Sequence, residues 1–132
     1  MKIEKIVAFP TQLVHVETTR IAADKKVEEV EKTFNITANT KGMILDKKTG
    51  KSVIDICVSN ETFSIEVEKV GIFEFEAEIK DEHSATIFLE TQAVRILWSY
   101  VREDIYSVSS KMLPRPIMLP TIDVMKTIEK AQ

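Results

Sequence analysis

Residues Ile87 to Tyr106 read as a helix that is apolar on more than one side, and few folds can absorb such a helix in a chain of 132 residues. Val94, Leu97, Val101, Ile105, Val108 and Met112 follow one another at spacings of three and four, which sets them in one stripe along a helix. A stripe of that kind covers a sheet. Ala93, Ile96, Trp98 and Tyr100 fall on other sides and need a second apolar surface. In a chain this short, a second subunit is the expected source, and these four residues are the candidate oligomer interface. A helix running unbroken from about Ser84 to Met112 would be about 40 Å long at 1.5 Å per residue. It would have to overhang a small sheet, bend, or pack against a neighbour.

The segments before this helix alternate as strands do. Phe34, Ile36 and Ala38 alternate with polar residues from Thr33 to Asn39. Asp46 to Gly50 is a turn, and Val53 to Val58 is a strand with Ile54, Ile56 and Val58 on one face. A tight turn at Ser59-Asn60-Glu61 returns the chain antiparallel. Phe63, Ile65 and Val67 then oppose Ser64, Glu66 and Glu68. Gly71 allows a bulge or a close backbone approach, and the position of Ile72 favours a bulge. Phe73, Phe75, Ala77 and Ile79 continue the alternation against Glu74, Glu76 and Glu78, so one face is apolar and the other mostly acidic. The first third is less regular. Ile3 to Phe9 and Leu13 to Val16 are strand-like pieces broken by Pro10, and charged Ala22 to Lys32 reads as a mobile connection or one short helix. At the other end, Leu113-Pro114-Arg115-Pro116 stops the long helix. An extended apolar linker, Ile117 to Pro120, follows. Thr121 is a fair N-cap for a short closing helix with Ile122, Met125 and Ile128 on one stripe. The expected fold is α+β: a single domain, residues 1–132, with a four-stranded antiparallel sheet packed on one long helix.

Composition narrows the function. Charged residues make up 30% of the chain and the formal net charge is -3. A nucleic-acid binder concentrates basic residues on one face to neutralise phosphates; Lys25-Lys26 and Lys47-Lys48 are only short pairs beside acidic residues. The start of the chain does not read as a signal peptide, and no run reaches the ~20 apolar residues that cross a bilayer. Cys57 is the single cysteine, so no intrachain disulfide forms. A cytoplasmic protein without membrane insertion is expected. Three glycines leave no phosphate loop, and His15 and His83 lack metal-ligand spacing. Arg102, Glu103 and Asp104 read as local solvation or an ion pair. Neither an enzyme nor a cofactor is expected.

What remains is a surplus of apolar surface. An apolar groove with an acidic rim suits a binder of unfolded segments, whose basic residues would favour the rim. Ile72, Phe73, Phe75, Trp98, Ile117 and Leu119 are the groove candidates, and some of the aromatic ones must fill the core instead. Ile117 and Leu119 have no obvious home in a two-layer core. The rival class is an oligomeric adaptor with one folded partner.

Three stretches add a family resemblance. Val70-Gly71-Ile72-Phe73, Ser99-Tyr100-Val101-Arg102-Glu103, and Leu113-Pro114 continuing through Leu119-Pro120 resemble, in order and spacing, segments of the SecB family of protein-export chaperones. The resemblance spans roughly Thr33 to Ile128. It implies a homotetramer built as a dimer of dimers, with the long helices sandwiched between dimers. It also implies ATP-independent holding of non-native polypeptides, such as export precursors, in apolar grooves, with delivery to the SecA motor. In a related branch, SecB-like proteins guard the antitoxin of a toxin–antitoxin pair. The chain departs from the pattern at Ser99, where the family has proline, and at Ile122-Asp123-Val124. Of the acidic surface that contacts SecA, Glu66 and Glu17 match, whereas Leu13 and Ser64 do not.

Overall fold

The computed structural model describes residues 1–5, 9–26 and 33–131. They form strands β1 (Thr11–Lys25), β2 (Asn35–Ile44), β3 (Thr49–Ser59) and β4 (Phe63–Phe75), then helices α1 (Glu82–Glu90), α2 (Gln92–Met112) and α3 (Val124–Ala131). The strands make one antiparallel sheet in the order β1-β4-β3-β2. The expected α+β plan of four strands backed by a long helix and closed by a short one is the plan observed.

Turn chemistry explains the two hairpins. Asp46 accepts from the Lys48 amide (2.9 Å), and Asn60 accepts from the amides of Thr62 (2.8 Å) and Phe63 (3.1 Å). Both are side chains that mimic a backbone turn. The β3–β4 register runs unbroken from Thr49 opposite Glu74 to Ser59 opposite Ser64, so the bulge expected at Gly71 is absent. Phe63, Ile65, Val67, Gly71 and Phe73 already share one parity and need none. The irregularities lie in β1 instead, between Leu13 and His15 and between Thr18 and Arg20. Gly71 serves the other purpose foreseen for it: a Cβ there would stand 2.7 Å from Leu97 Cδ2. Gly50 does the same for Leu89, whose Cδ1 would lie 2.5 Å away. Each glycine is a socket that lets a helix leucine reach the sheet backbone.

β1 is one strand of 15 residues that continues through Ala22 to Lys25, where a connection was expected. Its pairing with β4 along the whole length outweighs its polar composition, which an edge strand tolerates. The remainder of that expected connection, residues 27–32, lies outside the described residues, as do residues 6–8 of the first strand-like piece. Ile36 and Ala38 of β2 lie opposite Val58 and Ile56 and so take the predicted face, yet both are exposed. The helix layer covers the other end of β2, where Thr40 Oγ1 donates to Glu90 O (3.3 Å) and Leu89 sits over Gly42.

The long helix bends rather than overhanging. Thr91, with φ −123° and ψ −75°, separates α1 from α2, and its hydroxyl donates back to Ile87 O (2.7 Å). Such back-bonding by a β-branched residue bends helices. Asp81 caps α1 by accepting from the Ser84 amide (3.2 Å), and Leu113 leaves α2 in extended geometry before Pro114. The predicted stripe covers the sheet: Val94, Leu97, Val101 and Ile105 are buried against Ile54, Ile56, Val58, Phe63, Ile65 and Val67.

The segment after α2 closes this core. Leu113, Ile117 and Leu119 are buried in it. Three hydrogen bonds strap the segment to α2: Trp98 Nε1 to Pro120 O (2.9 Å), Arg102 Nε to Leu119 O (3.0 Å) and the Ile117 amide to Ser109 Oγ (2.7 Å). The N-cap of α3 is Asp123, which accepts from the Lys126 amide (3.0 Å), not Thr121. The side chains of Met125 and Ile128 lie outside the described residues.

One polar residue shares the apolar face of β4. Lys69 is buried and its Nζ reaches both Asp104 Oδ2 of α2 (2.5 Å) and Thr18 Oγ1 of β1 (2.7 Å). Burying an ammonium without a partner is costly, and Asp104 supplies the partner. The charged trio of Arg102, Glu103 and Asp104 thus divides: Asp104 pairs with the sheet, and Arg102 holds the strap.

Candidate functional site

Against the second half of α1, four phenylalanines meet. Phe88 of α1 receives Phe73 and Phe75 of β4 edge-on, with ring centroids 6.1 and 5.8 Å away. Phe9, just before β1, stacks on it at 6.3 Å with the ring planes 14° apart. Parity explains the two strand residues: Phe73 and Phe75 both point to the helix side. Phe73 is fully buried, whereas Phe75, at the end of the strand, is only partly buried.

Three cavities run past this cluster. One of about 410 Å³ lies between Phe9, Val14 and Phe75. A second, about 380 Å³, lies between Phe75, Ile79 and Phe88 and shares Pro10, Phe75 and Glu76 with the first. A third, about 530 Å³, lies between Met43, Leu45 and Thr86 and shares Ile79 with the second. The first two share an apolar floor at Phe75 and form a groove at one end of the molecule, which the third adjoins at Ile79. Together their walls carry Asp46, Glu74, Glu76, Glu78, Asp81 and Glu82 against Lys47 and Lys80. Two of these carboxylates are held below the usual range. The Ser84 hydroxyl and then its amide do this for Asp81, and the Lys48 amide and then the Thr49 hydroxyl for Asp46. Asp46 and Asp81 therefore keep their negative charge into mildly acidic solution.

Of the predicted groove residues, Phe75 lines this groove and Phe73 lies beneath it. Ile72 points to the opposite face of the sheet, half-buried. Trp98, Ile117 and Leu119 sit together elsewhere, in the core between α2 and its strap. This corrects the expectation that Ile117 and Leu119 lack a home in the protomer: the strap folds back and takes them in. Of the interface candidates, Ala93 is fully buried beside Phe73 and Leu89, and Trp98 is buried, while Ile96 (37%) and Tyr100 (39%) stay open. Glu17 and Glu66 both lie on the helix-free face. Glu66 accepts from Arg20 (2.9 Å), and Glu17 is 3.6 Å from His15 Nε2. Sequence reasoning missed Phe9 and Phe88 as site residues. Pro10 was the available signal, since it turns the chain where Phe9 meets α1.

Among the described residues, no three His, Cys, Asp or Glu side chains converge as metal ligands would, and no helix is long and apolar enough to cross a membrane. No protein-family model matches the chain, and no curated protein matches it in sequence. Solved structures do match. The Mycobacterium tuberculosis SecB-like chaperone, solved in complex with a ChAD peptide from the HigA1 antitoxin, superposes with a TM-score of 0.72. The match covers 86% of this chain and 88% of that one at 17% identity. The fold is SecB-like. A protein of unknown function from Streptococcus agalactiae also shares it, with a TM-score of 0.58, 15% identity, and coverage of 86% of this chain and 99% of the other. On this SecB-like frame the aromatic groove is a concave apolar feature, and the exposed Ile96 and Tyr100 lie apart from it on α2.

Proposed function

We propose that this protein is an ATP-independent chaperone that holds extended, non-native polypeptide segments in the groove around Phe75 and Phe88. The observation that carries the reading is an apolar, aromatic floor under an acidic rim, on the fold of a known peptide-binding chaperone. Burial of a guest apolar side chain there contributes roughly 1.5–3 kcal/mol. Several such contacts along the groove give avidity while leaving each one reversible. The rim favours guests with lysine or arginine beside their apolar residues.

A second reading is a chaperone dedicated to one antitoxin, and the antitoxin peptide bound to the mycobacterial neighbour favours it. Delivery of export precursors to SecA through the face carrying Glu17 and Glu66 is the export-linked version of the first reading. A cytoplasmic homotetramer closed over Ile96 and Tyr100 fits either reading.

The test is suppression of aggregation of several unrelated unfolded proteins without nucleotide, comparing the natural chain with Phe75→Asp. The natural chain should suppress and the variant should not, with circular dichroism required to show that the variant stays folded at the assay temperature, because Phe75 is partly buried against Phe88. Failure against every unrelated substrate, with tight binding of one antitoxin, would move the assignment to the dedicated reading. Tight binding of one folded partner alone would make it an adaptor.

A further inference from the structure

The contact between Phe9 and Phe88 differs from the core packing around it. Phe88 is fixed from the inside by the edges of Phe73 and Phe75. It also meets the parallel face of Phe9, a residue that is 63% exposed although its ring is stacked. Just beyond it the Glu76 amide donates to Pro10 O (3.0 Å). Phe9 itself is held by a local bond, Gln12 Nε2 to Phe9 O (2.6 Å), on an exposed side chain. Phe9 also walls the 410 Å³ cavity, so its ring sits in the groove and not behind it. The residues ahead of it include Lys2 and Lys5, and the groove walls nearest to it carry Glu74 and Glu76. An aromatic ring stacked in an acidic apolar groove, with lysines nearby in the sequence, has the chemistry expected of a guest.

We propose that Phe9 is a resident, exchangeable occupant of an aromatic subsite on Phe88. The subsite accepts an aromatic side chain of an extended, lysine-bearing guest segment, and the guest must displace Phe9 to enter. This inference rests on the groove reading above. A site filled by a resident group binds more weakly than an empty one, in proportion to the fraction of time it is vacant. The worth of one exposed aromatic pair sets that penalty at roughly two- to tenfold in affinity.

The experiment measures binding of a fluorescein-labelled extended peptide, one phenylalanine flanked by lysines and serines, to the full chain and to its Phe9→Ala variant. Phe9→Ala should bind the peptide about two- to tenfold more tightly. In parallel, 4-fluorophenylalanine placed at position 9 should show its fluorine resonance moving toward that of a free ring as peptide saturates the protein. Weaker or equal binding by Phe9→Ala, with an unmoved fluorine signal, would make Phe9 a fixed wall and overturn the inference while leaving the groove reading intact. Absence of peptide binding to both proteins would overturn the groove reading, and this inference with it. A peptide with leucine in place of phenylalanine should gain less from the variant; an equal gain would overturn the aromatic character of the subsite.

Discussion

Leu89 sits over two glycines, and the geometry separates them. A Cβ added at Gly50 would meet the far end of the leucine: Cδ1 at 2.5 Å, Cδ2 at 3.1 Å and Cγ at 3.3 Å. A Cβ added at Gly42 would meet atoms that survive truncation of the leucine, Leu89 Cβ at 2.8 Å and Thr86 O at 2.9 Å. Leu89 is fully buried, so Leu89→Ala should cost about 2–5 kcal/mol. Gly50→Ala alone overpacks the site and should cost roughly 1–3 kcal/mol. Together they should cost no more than Leu89→Ala alone, because the new methyl enters the space vacated by the leucine. The coupling should fall within about 0.5–3 kcal/mol. Gly42→Ala combined with Leu89→Ala should instead be additive within about 0.5 kcal/mol. Urea unfolding at one fixed protein concentration reads all six proteins, with the slope required to stay constant. At this chain length each kcal/mol moves the melting temperature by roughly 3–5 °C, which gives an independent check. Additivity for Gly50, or rescue for Gly42, would refute the socket argument.

Three further outcomes follow from the packing. Ile96→Asp should lower the sedimenting mass without changing the melt of an isolated protomer; an unchanged mass at micromolar concentration would remove this helix face from any subunit interface. Trp98 is unsuitable for that test because its burial inside the protomer would make a charge there unfold the chain. Lys69→Met leaves Asp104 without its partner and should cost roughly 3–5 kcal/mol by denaturation, toward the lower end because Asp104 is partly exposed, whereas Lys69→Met with Asp104→Leu should recover most of the loss. Asp55 is pushed above its ordinary value by burial, then by the nearby charges of Glu66 and Glu68, with Arg20 opposing. The folded state therefore holds that proton more tightly than the unfolded state, so stability should fall as pH rises from about 3.8 through the raised value. Asp55→Asn should flatten that part of the pH–melting curve and raise the melting temperature at pH 7; a curve identical to that of the natural chain would contradict the assignment.

Much of the fold could be read because β3, β4 and α2 each bury one face, and burial writes a period into the sequence. The stripe from Val94 to Met112 and the alternation from Phe63 to Val67 are examples. β1 resisted for the opposite reason: as an edge strand it is largely exposed, and its two irregularities leave no strict alternation. The strap was misjudged because a short apolar run between prolines carries no period. Its place is set by Trp98, Arg102 and Ser109 on a helix already formed. The groove was legible in kind, as apolar surface beside carboxylates, and Phe75 was named for it. Its other rings were not, because Phe9 and Phe88 are far apart in sequence and meet only once β1 lies beside β4 and α1 folds over the strand ends.

The buried lysine on β4 has a bearing on fidelity during folding. Most of the apolar side chains along that inward row would tolerate α2 sliding by one turn, though the fit of Leu97 over Gly71 would be lost. Lys69 would not: a misaligned helix would strand its ammonium far from Asp104, shut away from water and from any counter-charge. A single polar tooth thus acts as a locating pin, making near-miss arrangements of helix on sheet costly while adding little to the native one.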